Sequence, residues 1–254
     1  MKILEEEYNM AANKESNGLG APNDDIIQAV IFDMDGVLID SEPIYFEIER
    51  SSFAHFGARV TDEEHHNYVG VTLESMWQQV LDRHQLTATL EEIFAYHQHN
   101  VMQTMLAHPN LTAMPSVERW LSWLHEQHVP IAVASSSPRA LIDLIMDKTG
   151  LGQYFEVRMT GEEVTNGKPA PDIFLTTAEM IGASPSNCLV IEDSRNGVQA
   201  AKSAGMRCIG YRNPGSGNQD LSKADLQISS YDELWTLKDT LPFEGRLPSL
   251  SKFR

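Results

Sequence analysis

The first sustained apolar run of the chain is Ile26-Ile27-Gln28-Ala29-Val30-Ile31-Phe32. It is short, rich in β-branched residues and almost uninterrupted, which predicts a strand covered on both faces. Residues 1 to 25 before it are polar and carry no sustained period, so they read as a mobile tail, apart from a helical turn at 3–12. From residue 42 to about 112 no comparable strand signal occurs. Leu73, Met76, Trp77, Val80 and Leu81 share one helical face, and Phe94, Val101 and Met105 do so less cleanly. That stretch predicts an all-helical insert, with Pro109 and Pro115 bracketing the return. A strict alternation follows. Helix signals lie around 117–124, 138–145, 171–181 and 194–204, and strand signals at 129–134, 155–159, 188–191, 206–211 and 224–228. Pro171 in a first helical turn and Gly182 and Gly205 just past helix ends fit this reading. Strands alternating with helices predict a parallel sheet with helices on both faces, hence an α/β fold. The expected division is core at 26–41 and 113–235, cap at 42–112 and a C-terminal tail at 236–254.

In such sheets ligands bind beyond the carboxyl ends of the strands. Four strand ends here carry unusual residues. They are Asp33-Met34-Asp35-Gly36, Ser135-Ser136-Ser137, the loop Gly167-Lys168-Pro169-Ala170-Pro171-Asp172, and Glu192-Asp193-Ser194. If these tips meet, Asp33, Asp35, Glu192 and Asp193 crowd together, and uncompensated carboxylates would take up protons. A hard cation removes the conflict, and carboxylate oxygens suit magnesium. Lys168 adds positive charge and Ser135 a hydroxyl. Gly36 frees the backbone so that its amides can approach an oxyanion. Together these groups predict a phosphate trap in which one aspartate faces phosphorus as a nucleophile. Taken singly, Ser135 or Asp193 reads equally well as a helix cap.

Charge narrows the partners. With 19 basic and 36 acidic side chains the chain carries a net −17 and a pI near 4.8. Such a surface repels nucleic acids and anionic membranes, and a phosphate site needs its cations placed locally. Cys188 and Cys208 both lie in apolar runs and predict buried strand thiols in a reducing compartment. No apolar run is long enough to span a membrane, and the start Met1-Lys2-Ile3-Leu4-Glu5-Glu6-Glu7 is acidic, unlike a signal peptide. A soluble, cytoplasmic protein is expected, monomeric or dimeric, with a small phosphorylated metabolite as its partner.

Asp33-Met34-Asp35-Gly36-Val37, Ser135, Lys168 and Glu192-Asp193 resemble, in order, the four motifs of the haloacid-dehalogenase-like hydrolases. The runs 167–172 and 192–194 with Gly197 look like the β-phosphoglucomutase-like and sugar-phosphate phosphatase branch, over about residues 27–235. The resemblance implies a Rossmann-like core with a mobile helical cap and a magnesium cofactor. It implies that Asp33 forms an aspartyl-phosphate while Asp35 acts as acid and then base. Asp33, the Asp35 carbonyl and Asp193 would hold the metal, with Glu192 nearby or through water. Ser135, Lys168 and Gly36 would contact phosphate. Asp35 argues against dehalogenation, since a departing halide needs no acid. A binding-only protein would be expected to lack one of the two catalytic carboxylates.

Within that branch the mutases grip a second phosphate with a cap arginine. The corresponding stretch here is Val69-Gly70-Val71-Thr72-Leu73, with Leu73 in the arginine's place, Val69 in a lysine's and Tyr45 in a histidine's. Leucine offers phosphate no bidentate grip. Arg50, Arg59 and Arg83 remain as relocated candidates. A phosphatase is therefore expected before a mutase, with Tyr45, Val69, Gly70, Thr72 and Leu73 as the cap residues around substrate. His65-His66 is not read as a metal site, because adjacent helical residues do not face one another. His97 and His99 lack ligand spacing. Of Trp120 and Trp123 at most one need be core. The loop Arg212-Asn213-Pro214-Gly215 lies near the rim without an assigned role.

Overall fold

The computed structural model describes residues 26–68, 71–109 and 111–243. β1 (Ala29–Phe32) is followed by the helical insert α1 (Glu42–His55), α2 (Asp62–His66), α3 (Leu73–His84) and α4 (Leu90–Ala107). The chain returns through α5 (Val117–Glu126), β2 (Ile131–Ser135), α6 (Arg139–Thr149) and β3 (Val157–Thr160). It continues through α7 (Asp172–Met180), β4 (Cys188–Glu192), α8 (Arg195–Ser203), β5 (Arg207–Tyr211), β6 (Leu226–Ile228) and α9 (Tyr231–Leu237). The six strands are all parallel in the order β3-β2-β1-β4-β5-β6. This is a Rossmann-like sheet whose strand order reverses beside β1, opening a crevice between β1 and β4 at the carboxyl ends.

The alternation of β1 assigns its two faces. Val30 and Phe32 enter one apolar layer with Trp120, Ile142 and Tyr231. Ala29 and Ile31 enter the other with Phe174 and Val198. Because helices cover both faces, every position of β1 is buried and its sequence is continuously apolar. The strand begins at Ala29 rather than Ile26; Ile27 instead bridges to Phe243. Cys188 and Cys208 are buried free thiols on β4 and β5, and burial pushes Cys188 up to about 11.

The insert has a core of its own, built from Phe53, Met76, Trp77, Val80 and Ile93, with Leu73 and Leu81 packed at its edge. Thr72 and Thr89 start α3 and α4 by accepting from the Ser75 and Glu92 amides. On α4 the buried stripe is Ile93, His97, Val101 and Met105, four residues apart. Phe94, expected in that stripe, is half-buried; a buried histidine interrupts the apolar spacing and disguises the true face. The neck is closed by an Ile39–Ala113 bridge and by Lys148 of α6. Lys148 Nζ donates to the carbonyls of Met105 at 2.9 Å, Leu106 at 2.6 Å and His108 at 2.7 Å. It thereby satisfies acceptors that the end of α4 leaves open.

Packing continues past residue 235, where a tail was expected. Ile27 N–H donates to Pro242 at 2.7 Å, and Phe243 is buried against Trp120 and Trp123. Both tryptophans are buried, their ring centroids 4.8 Å apart. The spacing needed at most one in the core; α9 and Phe243 cover the second ring. The expected tail at 1–25, with its helical turn at 3–12, lies outside the described residues, as do 244–254. Among the described residues no helix is long and apolar enough to cross a membrane.

Candidate active site

Asp33 is the first residue after β1, and its N–H donates to Ile191 on β4 at 3.0 Å. The pairings Phe32–Ile191 and Phe32–Val133 bring the ends of β4 and β2 level with it. Parallel register therefore sets Asp33, Ser135 and the Glu192-Asp193 pair at one end of the sheet, across the crevice where the strand order reverses. Lys168 reaches in from the loop between β3 and α7. Its Nζ lies 2.6 Å from Asp33 Oδ1, 2.9 Å from Glu192 Oε1 and 3.1 Å from the Ala134 carbonyl. The lysine side chain is 7% exposed and the Glu192 side chain 1%.

Glu192 is fully engaged. Lys168 takes one oxygen, and the amide and hydroxyl of Ser194 donate to the other at 2.7 and 2.9 Å. A side chain at Gly197 would run into this carboxylate. Glu192, expected near a metal or reaching it through water, uses its oxygens to hold Lys168 and the start of α8. Gly36 is likewise engaged within the fold. Its amide, expected to face an oxyanion, donates to the Ile39 carbonyl at 3.0 Å within the turn. Gly36 has φ +73°, and a Cβ there would strike Asp193 Oδ2. What Gly36 contributes is room for Asp193 to approach the Asp33 loop.

Asp35 faces the other way. Its Oδ2 accepts from Ser137 Oγ at 2.9 Å, while its buried Oδ1 has no hydrogen-bond partner among the described residues. Tyr45 of α1 lies beside Ser137 and Asp35, and burial, with the Asp35 charge adding to it, holds its phenol well above the ordinary value. Ser135 is 1% exposed, and its Oγ accepts from the Ser137 amide at 3.1 Å. Three further residues gain a role: Ser137, quoted at a strand end, Asn213, placed near the rim without a role, and Ser216, which the sequence reading missed. Ser137 holds Asp35, Asn213 Nδ2 donates to the Gly36 carbonyl at 3.2 Å, and Ser216 donates a short hydrogen bond to Asp193 Oδ2. Asn213 and Ser216 belong to the turn after β5, whose place at a strand's carboxyl end was the available signal.

Burial dominates the electrostatics. It pushes Asp33 up to about 7, with Lys168 opposing and Glu192 and Asp35 adding to the rise. Burial also drives Asp193 well above the carboxylate range, with Glu192 and Asp33 reinforcing and Ser216 restraining it. Lys168 is held above its ordinary value: its carboxylate partners outweigh desolvation. Two buried acids that resist ionisation, plus the carbonyl of Asp35, make an oxygen donor set that fits a magnesium ion. Among the described residues no three His, Cys, Asp or Glu side chains converge into a cage.

The cap residues separate. Tyr45 reaches the site. Thr72 is exposed and spends its hydroxyl capping α3, and Leu73 is half-buried on the cap core. Val69 and Gly70 lie outside the described residues. Arg50 pairs with Asp62 at 3.2 Å and Arg83 with Glu64 at 3.4 Å; Arg59 is exposed. His65 and His66 part company. His65 is buried, with Nε2 at 2.6 Å from Glu49 Oε2 and its ring stacked on Phe46 at 3.7 Å, whereas His66 is exposed.

Residues 30–211 match the model of the haloacid dehalogenase-like hydrolases. A phosphorylated carbohydrates phosphatase of Thermotoga maritima is 34% identical over 72% of this chain and 84% of its own length. A probable pseudouridine-5'-phosphatase of Drosophila melanogaster is 33% identical over 87% of this chain and 94% of its own. The crystal structure of a family hydrolase from Deinococcus radiodurans, solved with bound phosphate and sodium, superposes with a TM-score of 0.70. It is 27% identical, and the match covers 86% of this chain and 98% of that one.

Proposed function

This chain belongs to the haloacid dehalogenase-like hydrolases and is a phosphatase of that type; we propose that it hydrolyses a sugar phosphate or phosphorylated sugar acid through an aspartyl-phosphate on Asp33. The observation that carries the reading is the division of labour across one loop. Asp33 lies on Lys168, which supports it as the nucleophile, while Asp35 turns to Ser137 beside Tyr45, which supports it as the acid for the leaving group.

In the first step an Asp33 oxygen attacks phosphorus and the ester P–O bond breaks. The departing oxygen takes its proton from Asp35, whose carboxyl burial keeps above its ordinary value. In the second step Asp35, now ionised, takes a proton from water as the water oxygen attacks phosphorus. The bond to Asp33 breaks and inorganic phosphate leaves. Lys168 and the Ser135 hydroxyl offset charge on the phosphoryl oxygens in a site shielded from water. Asp33, Asp193 and the Asp35 carbonyl would hold magnesium, which supplies further neutralisation of phosphoryl charge. Glu192 and Ser194 keep Lys168 aimed at Asp33.

The mutase reading has less support. Leu73 packs into the cap, and Arg50 and Arg83 are paired with Asp62 and Glu64 rather than offered to a second phosphate. The test is release of inorganic phosphate from sugar monophosphates, sugar-acid phosphates and nucleoside monophosphates. β-Glucose 1-phosphate with a bisphosphate primer is assayed alongside for isomerisation. Hydrolysis is expected; efficient isomerisation with little free phosphate would replace the phosphatase by a mutase.

A further inference from the structure

One face of α1 begins at the catalytic loop. Glu42, Tyr45 and Glu49 recur at i, i+3 and i+7 and so lie on one stripe. At its lower end Glu42 is half-buried near Asp35 and accepts from Ser216 at 3.4 Å, and Tyr45 lies beside Ser137 and Asp35. Glu49 stands about 6 Å further along the axis than Tyr45 by helix rise. Its side chain is 24% exposed, and its Oε2 faces the buried His65 Nε2. His97 of α4 lies within reach of the Glu49 charge. The histidines are 2% and 8% exposed, and the Nδ1 atom of each is buried without a hydrogen-bond partner among the described residues. His65 is wedged between Phe46 and Phe53, so its ring is fixed. The stripe carries carboxylates and a phenol. The neighbouring Arg50 is turned to Asp62, and Lys168 is committed to Asp33 and Glu192.

We infer that Glu49, oriented by His65, is the specificity-determining residue of the leaving-group site, and that it selects an uncharged polyhydroxylated leaving group over an anionic one. The inference rests on the phosphatase reading and narrows it. A phosphoryl group at Asp33 with its ester oxygen toward Asp35 sends the rest of the substrate past Tyr45 along the stripe. Glu49 Oε1 is free to accept from a hydroxyl there, and hydrogen bonds to ionised acceptors are among the stronger ones. A second phosphate or a carboxylate would meet Glu49 with no cation among the described residues of the stripe to pair it, a repulsion that excludes the wrong ligand. On this basis an uncharged hexose or hexitol monophosphate is favoured over a phosphorylated sugar acid or a bisphosphate.

The experiment measures kcat/KM of the full-length protein with magnesium for a hexitol monophosphate, a hexose monophosphate, a phosphorylated sugar acid, a hexose bisphosphate and phosphoethanolamine. Acetyl phosphate, which has no hydroxyls, reports the basic reaction. The wild type is expected to favour the two uncharged substrates by about tenfold or more, the scale of one charge-assisted contact. Glu49→Gln is expected to lower kcat/KM for them about tenfold, mainly through KM, and to narrow the gap to the anionic substrates. His65→Gln should do the same more weakly. The wild-type ratios stand even if a variant fails to fold. Turnover of acetyl phosphate with equal or better use of the sugar acid would overturn the inference alone. A preference for phosphoethanolamine, or unchanged ratios in folded Glu49→Gln, would overturn it as well. Absence of turnover on every substrate would instead remove the phosphatase reading beneath it.

Discussion

Lys168 Nζ stands 2.6 Å from Asp33 Oδ1 and 2.9 Å from Glu192 Oε1, joining two carboxylates that come from different strands and are 159 residues apart in the chain. The lysine is the positive charge that makes this acidic pocket tenable. Breaking a buried pair from one side leaves the other charge uncompensated, which costs about 3–5 kcal/mol. Lys168→Met should therefore both abolish turnover and lower stability at pH 7 by about that amount. Denaturant unfolding checks the second effect. A variant as stable as the wild type would mean that Asp33 and Glu192 are neutral without it.

Asp33→Asn should abolish hydrolysis and leave the fold intact, since the amide keeps the volume and remains beside Lys168. Acid quenching of the wild type during turnover should trap one phosphoryl group on Asp33, located by peptide mass spectrometry. Phosphate on a histidine, or rapid turnover with no trapped adduct, would contradict the proposed nucleophile.

The raised acids predict a pH profile for the metal-free protein. Asp33 goes from an ordinary carboxylate value of 3.8 to about 7 in the folded state, so the native state holds its proton more tightly than the unfolded chain does. Stability from this group is complete below about pH 4 and is lost as pH rises to about 7. The metal-free Tm should fall across that window, and Asp33→Asn should flatten the fall. Magnesium binds the ionised form, so the rise in Tm that it produces should grow with pH. A magnesium shift that shrinks toward pH 8 would exclude Asp33 and Asp193 as its ligands.

Ser216 and Gly36 bear on Asp193 from two sides, one by a hydrogen bond and one by leaving space. Ser216→Ala should weaken magnesium binding about 10–100-fold, the usual effect of removing a group that orients a ligand. Gly36→Ala should be worse, because it adds backbone strain at φ +73° to a collision with Asp193. Calorimetric titration of magnesium ranks the two. Equal affinity in Ser216→Ala and the wild type would show that Asp193 does not depend on that hydroxyl.

Residues whose chemistry is tied to a strand end were legible in the chain itself. Val30 to Phe32 announce a doubly covered strand, and Asp33, Ser135, Lys168 and Asp193 follow strands or a strand-linked loop, so the parallel alternation alone delivers them to one edge. The α/β alternation and the helical insert follow from the same periodicities, because apolar spacing directly records which face is buried. What the sequence left open depends on contacts between segments that have no common period. Which way a carboxylate turns is one case: Glu192 faces Lys168 and Ser194, and Asp35 faces Ser137 and Tyr45. The burial of His65 against Glu49 and Phe46, and the closure of Trp120 and Trp123 by Phe243, are others. A hydrogen-bond partner or a covering ring is supplied by whatever element packs opposite, so only the tertiary structure decided these.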